Sequence, residues 1–465
     1  MLLKASGARI NMCNIRAVAI NTIRQAFRLK IAYAFLAALL LLLPLMAVTM
    51  TGDGTVKGKL QTFVSYSLSL TGFLLAIFTI VVSVYTLTSD IQQRQIFMVI
   101  TKPIRRFELI LGKLLGVVLL DAFLLLVFSV VIYGFALAIP KFENVTQQQK
   151  AQLDNEFFTA RASLKPLVPD VTEEVRQTYE KLEKSGQLPQ YMTKRQILMQ
   201  LTQEKELAKR AVPVGYDILW EFHNIKPIDP RKSLFIRFKY DVSVNPPDLQ
   251  LYGKWLAGDI RQIQYGTAMV NPIFEFNRKD LIRTFYEIEV PAGAVAPDGY
   301  LGIAFINMPY NDTVVIFPPE DGLEVLYKAD NFTSNFFRAV LLIFLRLVFL
   351  ACIGTLAASF LSFPVAILLC LLIFFTATIS GFVIESFSYM GQNATVIYDY
   401  TVKPLIYLIP QFDKYNPTSY IVPARLISWP LLGRVVLVML CLQSVLPLVL
   451  AIIIFQFKEI ARITV

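Results

Sequence analysis

The stretch "DIQQRQIFMVITKPIRRFELILGK", Asp90 to Lys113, decides how the rest of the chain is read. It lies between two long apolar runs and breaks at Pro103. Its basic residues Arg94, Lys102, Arg105, Arg106 and Lys113 outweigh Asp90 and Glu108. Thr101 suits a helix N-cap, and Pro103 suits the first turn after it, where a missing N–H costs nothing. The segment is therefore predicted to hold a short helix over "IQQRQIFMVI", a turn at "TK", and the start of a long helix at "PIRRFELILGK". The expectation is an elbow that turns Arg94, Lys102, Arg105 and Arg106 toward water or lipid headgroups.

The flanking runs fix the solvent. With 465 residues, 55% hydrophobic and 17% charged, the chain has too little polar surface to cover a soluble core. Six windows, near 31–50, 62–87, 112–139, 338–361, 364–387 and 433–456, match the roughly 20 apolar residues that cross a bilayer as helix. The basic arm before the first, with Lys4, Arg9, Arg16, Arg24, Arg28 and Lys30 and no acid, is expected to stay cytoplasmic. Both termini and the opening segment are then cytoplasmic, and residues 140–333 and the loop 388–432 lie outside. The net charge of +10 follows from basic residues at cytoplasmic membrane edges, so nucleic acid is not expected as a partner.

The predicted fold is an α-helical polytopic membrane protein of six spans with an inserted α+β extracytoplasmic domain. Residues 1–30 form an arm whose Asn14–Lys30 stretch reads as an amphipathic helix, either lying in the interface or extending the first span. Spans 1–3 fill 31–139, with the short helix near 90–112. Residues 140–215 are charged and helix-forming. From 216 to 333, "SLFIRFKYDVSV", "LQLYGKWLAG", "TFYEIEVPAG", "GYLGIAFINM" and "DTVVIFPPEDGLEVLY" predict strands of an antiparallel β-sandwich. Spans 4–6 occupy 334–465. Prolines at 404, 410, 417, 423 and 430 forbid one continuous helix in the outer loop, which is read as short surface helices or a partial re-entrant segment.

Chemistry-bearing motifs are few. There is no GxxxxGK[ST], HExxH or GxSxG, and His223 is the single histidine, so no catalytic or metal-binding set is expected. Cys13, Cys352, Cys370 and Cys441 all fall outside the inserted domain, which must hold itself by an ordinary core. Asp121, Arg346 and Glu385 are the ionisable residues placed within spans. They either line a substrate path or form buried pairs, Arg346 with Glu385 or Asp121. Trp220, Trp255, Tyr240 and Tyr252 are either sandwich core or an aromatic platform for a ligand such as a sugar ring.

"SDIQQRQIFMVITKPIRRFELILGK" resembles the cytoplasmic segment between the second and third helices of the ABC type-2 permease family, the membrane subunits of ATP-driven exporters. "AASFLSFPVAILLCLLIF" (357–374) and the terminal "IIIFQFKEIAR" are similar to that family's joins and close. The resemblance covers the six helices and not the inserted domain. It implies a coupling helix that docks on a separate ATPase subunit. Gln92, Arg94 and Phe97 would belong to its docking part, and Lys102, Pro103, Arg105, Arg106, Glu108, Gly112 and Lys113 to the elbow that conveys movement. It further implies a second permease copy or homologue, membrane lipid as surroundings, ATP and Mg bound by the partner rather than this chain, and a bacterial inner membrane as location. Where many members carry an early glutamate, this chain has Asp90 and Gln92–Gln93. A membrane-anchored envelope-binding or scaffold protein, with the sandwich as its working part, is the competing expectation. A secondary carrier is disfavoured by the absence of an inverted repeat.

Overall fold

The computed structural model describes residues 12–92, 104–143, 145–167, 170–189, 192, 194–225, 233–264, 271–319, 321–388, 401, 404 and 408–457. Two compact units emerge, one of residues 1–158 with 332–465 and one of Thr159–Asn331.

The first unit is helical. Its elements are α1 (Met12–Phe27), α2 (Lys30–Thr49), α3 (Val56–Gln92), α4 (Arg106–Phe142), α5 (Gln147–Glu156), then α8 (Phe332–Phe360), α9 (Phe363–Ser388) and α10 (Trp429–Phe457). Five of them, α3, α4, α8, α9 and α10, are long and apolar enough to cross a membrane; the apolar stretch Tyr33–Thr49 of α2 is shorter. These windows agree with those read from hydropathy, but the helices run further. α4 begins at Arg106 rather than at Pro103, because Glu108 satisfies the backbone N–H of Arg105 at 3.1 Å and so makes Arg105 the cap. α8 begins at Phe332, stacking Phe332 and Phe336 on Tyr133 of α4.

α1 neither extends the first span nor leaves its apolar face to lipid. The chain breaks after Phe27, and Ile15, Val18, Ala19, Thr22 and Ala26 are buried. The partner is α4, whose Gly112 and Gly116 open a groove. A Cβ on Gly112 would lie 2.6 Å from Val18 Cβ, and one on Gly116 would lie 2.7 Å from the Ala19 carbonyl oxygen. Glycines four apart let two helix backbones approach this closely. α10 widens to π-helix over Val436–Ser444, with Ser444 Oγ bonded to the Met439 carbonyl at 2.8 Å. Pro447 follows, and its ring would crowd the Gln443 carbonyl in a regular α-turn.

The second unit carries eleven strands among its described residues. They are β1 (Thr159–Leu164), β2 (Ala211–Val212), β3 (Asp217–Phe222), β4 (Leu234–Phe238), β5 (Asp241–Val242), β6 (Gln250–Gly258), β7 (Phe274–Leu281), β8 (Tyr286–Val290), β9 (Leu301–Asn307), β10 (Val315–Ile316) and β11 (Leu323–Asn331). Three antiparallel sheets result, in the orders β1-β11-β4-β8, β2-β10-β5 and β3-β9-β6-β7. β1 is the departure from expectation, a strand inside the segment read as helical. Its alternating apolar positions are too few to outweigh the helical texture on either side, and pairing with β11 decides it. The rest of that segment is helical: α6 (Thr172–Lys184) and α7 (Lys194–Ala208) bury Val175, Tyr179, Ile197 and Leu201 together.

Side chains from the two four-stranded sheets share one core. Phe238 of β4 meets Trp255 of β6 at a ring separation of 4.4 Å, and Trp255 meets Phe305 of β9 at 4.9 Å. Gly253 is needed beside this cluster, since a Cβ there would fall 2.5 Å from the Phe305 ring.

Candidate functional site

The polar centre of the helical unit lies at the junction of α1, α3 and α4. Residues 93–103, with Arg94, Phe97, Lys102 and Pro103, lie outside the described residues, but both ends of the segment are fixed. On the α3 side, Asp90 is 5% exposed; on the α4 side, Lys113 is 3% exposed. Lys113 Nζ lies 2.6 Å from Asp90 Oδ2 and also donates to the Thr86 carbonyl. Gln25 of α1 donates to the other Asp90 oxygen at 3.0 Å. Glu108, 2% exposed, accepts from the Arg105 N–H and from Asn14 Nδ2 of α1, the latter at 3.0 Å.

A buried ion pair is tolerated only when its remaining hydrogen-bonding capacity is filled. Here α1 does part of that filling: Gln25 serves Asp90, and Asn14 serves Glu108. Arg106, expected to point to water or headgroups, turns instead along the bundle. Its Nη1 donates to the Gln456 carbonyl at 2.8 Å and the Phe455 carbonyl at 3.3 Å, both among the last described residues of α10.

Of the ten residues assigned to the docking part and the elbow, the fold thus gathers Arg105, Arg106, Glu108, Gly112 and Lys113 at the start of α4, and leaves Gln92 exposed at the end of α3. Asn14, Gln25 and Gly116 were missed. The Gly112-x-x-x-Gly116 spacing was a legible signal for close helix contact. Asn14 and Gln25 carried none, because their partners are 94 and 65 residues away.

Of the intramembrane ionisable residues, Asp121 and Arg346 do not pair with each other. Asp121 is fully buried, and its carboxylate oxygens have no hydrogen-bond partner among the described residues. Arg346 of α8 instead donates through Nη2 to the backbone carbonyls of Phe412 and Tyr415, the latter at 2.7 Å, with its guanidinium over the Phe412 ring. The Glu385 side chain lies outside the described residues. Phe412 is 2% exposed, and its N–H donates to the Ala377 carbonyl of α9 at 2.9 Å.

These contacts set a depth. Arg346 stands 14 residues before the end of α8, and Ala377 stands 14 residues after the start of α9. At 1.5 Å per residue each is about 21 Å from the turn joining the two helices, short of the ~30 Å hydrocarbon thickness. The backbone around Phe412 therefore packs into the helical bundle between α8 and α9 and does not form only surface helices. Irregular backbone at that depth requires protein partners for its carbonyls, which Arg346 supplies. Nearer the N-terminus of α8, Asn335 exchanges hydrogen bonds with the Arg425 carbonyl and the Ile427 N–H, and Arg338 donates to the Ile427 carbonyl.

In the β unit the proposed aromatic platform dissolves. Trp220, Trp255 and Tyr240 are 8%, 0% and 2% exposed and belong to the core, so their faces are unavailable for stacking. Alternation along β6 explains the split, since Tyr252 and Trp255 sit three apart on opposite faces of the strand. Tyr252 alone is exposed, beside Tyr310 and under Lys279, at a cavity of about 520 Å³. Lys279 bonds Asp248 and holds its carboxyl below the usual carboxylate range. Elsewhere Arg261 bridges Asp259 and Asp298, and its hydrogen bonds lower both carboxyls. His223 is exposed, with its ring 5.3 Å from that of Tyr300. No group of His, Cys, Asp and Glu suited to a metal occurs among the described residues.

Comparisons with family models, curated proteins and solved structures return no match.

Proposed function

We propose that this chain is the permease subunit of an ATP-driven exporter in a bacterial inner membrane. It would work with a separate ATPase subunit, which binds ATP and Mg, and with a second permease copy. In this reading α2 is a sixth span, since its 20 residues reach about 30 Å. The three sheets are a β-sandwich on the extracytoplasmic side.

The observation that carries the reading is the clamp around the segment 93–103. Asp90 and Lys113 join its two ends, Asn14 and Gln25 tie both to α1, and Arg106 ties α4 to the end of α10. A force applied by a partner to the segment would then move α3 and α4 together, because breaking the buried Asp90–Lys113 pair costs about 3–5 kcal/mol, and would be passed to α1 and α10 through the less buried bonds of Asn14, Gln25 and Arg106. This is the property a coupling element needs. ATP-driven closure of two ATPase subunits would be delivered to the helices as a rigid displacement rather than absorbed by a pliant loop.

The test is co-purification. The chain should retain a P-loop ATPase, lose it when Gln92–Ile100 is deleted, and stimulate its hydrolysis after reconstitution with the cargo. An ATPase complex that survives the deletion unchanged would sink the proposal and favour a scaffold whose β unit is the working part.

A further inference from the structure

Inside the helical unit lies a cavity of about 300 Å³. It is walled by α3, α8, α9 and the segment that enters the bundle at Phe412. Most of its lining is apolar, including Phe73, Leu347 and Phe374, but Arg346, Ser69, Thr378 and Asn416 also face it. Ligand sites have this make-up: apolar walls with a few convergent polar groups, in a volume from about 300 Å³ upward.

Arg346 is under-used. A guanidinium has five N–H donors. The two on Nη2 go to the Phe412 and Tyr415 carbonyls. The three on Nε and Nη1 have no partner among the described residues, and Nε is shut off from the surface. Asp413 acts on Arg346 electrostatically but forms no ion pair with it; its carboxylate accepts instead from Ser380 Oγ at 3.1 Å. Nε has no accessible surface and is out of a ligand's reach, but leaving the two Nη1 donors of a permanent cation unfilled at membrane depth is costly, and an acceptor with negative charge in the cavity fills them best.

We propose that this cavity is a binding site for an oxyanion, a carboxylate or phosphate, held by Arg346, and that its apolar walls take the adjoining hydrocarbon of an amphiphile. The ligand class follows from Arg346 and the cavity alone, and does not depend on whether the chain works with an ATPase.

The experiment uses the full chain in neutral detergent, with dodecyl phosphate, inorganic phosphate and dodecanol as probes. Thermal unfolding and native mass spectrometry are the readouts. Dodecyl phosphate should raise the unfolding temperature and persist as a one-to-one adduct, and dodecanol should do neither. Arg346→Gln should weaken dodecyl phosphate about tenfold or more, the usual loss for a charge-assisted hydrogen bond. Because Arg346→Gln also strips two backbone carbonyls of their donor, Gly72→Leu provides a second route. A Cβ at Gly72 meets only Ile343, at 3.7 Å, so the larger side chain fills the cavity while Arg346 stays in place. It should weaken dodecyl phosphate at least as much. Inorganic phosphate matching dodecyl phosphate would support the oxyanion site and identify a soluble source; weak inorganic phosphate with tight dodecyl phosphate identifies a lipid-like source. Binding of dodecyl phosphate that is absent, matched by dodecanol, or unchanged in Gly72→Leu would overturn the proposal.

Discussion

Lys113 Nζ lies 2.6 Å from Asp90 Oδ2, so a buried ion pair joins the last turn of one candidate span to the second turn of the next. Whatever happens to the residues between them is referred to this fixed point.

Removing one member of the pair strands the other in an apolar setting. Asp90→Ala or Lys113→Ala should destabilise the helical unit by about 3–5 kcal/mol, whereas Asp90→Leu with Lys113→Met should recover most of the loss. Thermal unfolding of the purified chain in detergent decides it. Additive losses in the double variant would mean that the two charges are not coupled.

The close approach of α1 to α4 depends on glycine. Gly112→Leu places carbon where Val18 and the Ile15 carbonyl already stand, and Gly116→Val does the same at Ala19 and Thr22. Overpacking of this kind costs about 1–3 kcal/mol. Here it should also release α1, read as faster proteolysis between residues 12 and 28. Protection unchanged from wild type would show that α1 is held by Asn14 and Gln25 alone.

The core of the β unit and its surface should respond in opposite ways. Trp255→Ala removes the ring that joins both four-stranded sheets and should cost about 3–5 kcal/mol. Tyr252→Ala, three residues away and exposed, should stay within about 0.5 kcal/mol. Urea unfolding followed by tryptophan fluorescence measures both.

Acid should weaken the β unit through Arg261. Its hydrogen bonds hold Asp259 and Asp298 below their ordinary value of 3.8. A carboxyl lowered in the folded state contributes fully at pH above 3.8 and loses that contribution as pH falls below it. The urea midpoint should therefore drop in that acid range, and Arg261→Gln should lower it at neutral pH while flattening the acid loss. An Arg261→Gln chain with the wild-type acid profile would remove Arg261 from the account.

Five of the six predicted windows became helices long and apolar enough to cross a membrane, legible because a bilayer demands about 20 apolar residues and nothing local can imitate that. Five of the β-rich runs became β4 through β6 and β8 through β11 for a similar reason, since alternation and turn residues agree along each. β7, "FEFNRKDL", escaped because its second half is charged; it is held by pairing of its full length with Gln250–Ala257 of β6. At the α3–α4 junction the charges were visible but their partners were not. Arg106 read as a surface cation, yet its acceptors are some 350 residues away on α10. The same holds for Arg346 and Phe412: composition can place an arginine in a span, but only the tertiary path of the chain can bring two bare carbonyls to it.

One consequence follows from the register of β1 and β11. Thr159 pairs with Asn331, so the β unit starts and stops on neighbouring strands of one sheet. A module with adjacent ends can be spliced into a loop, or cut out of it, while the remaining chain closes over a gap of a few ångströms. The helices and the sheets are therefore separable parts of one chain, and either can be altered without re-routing the other.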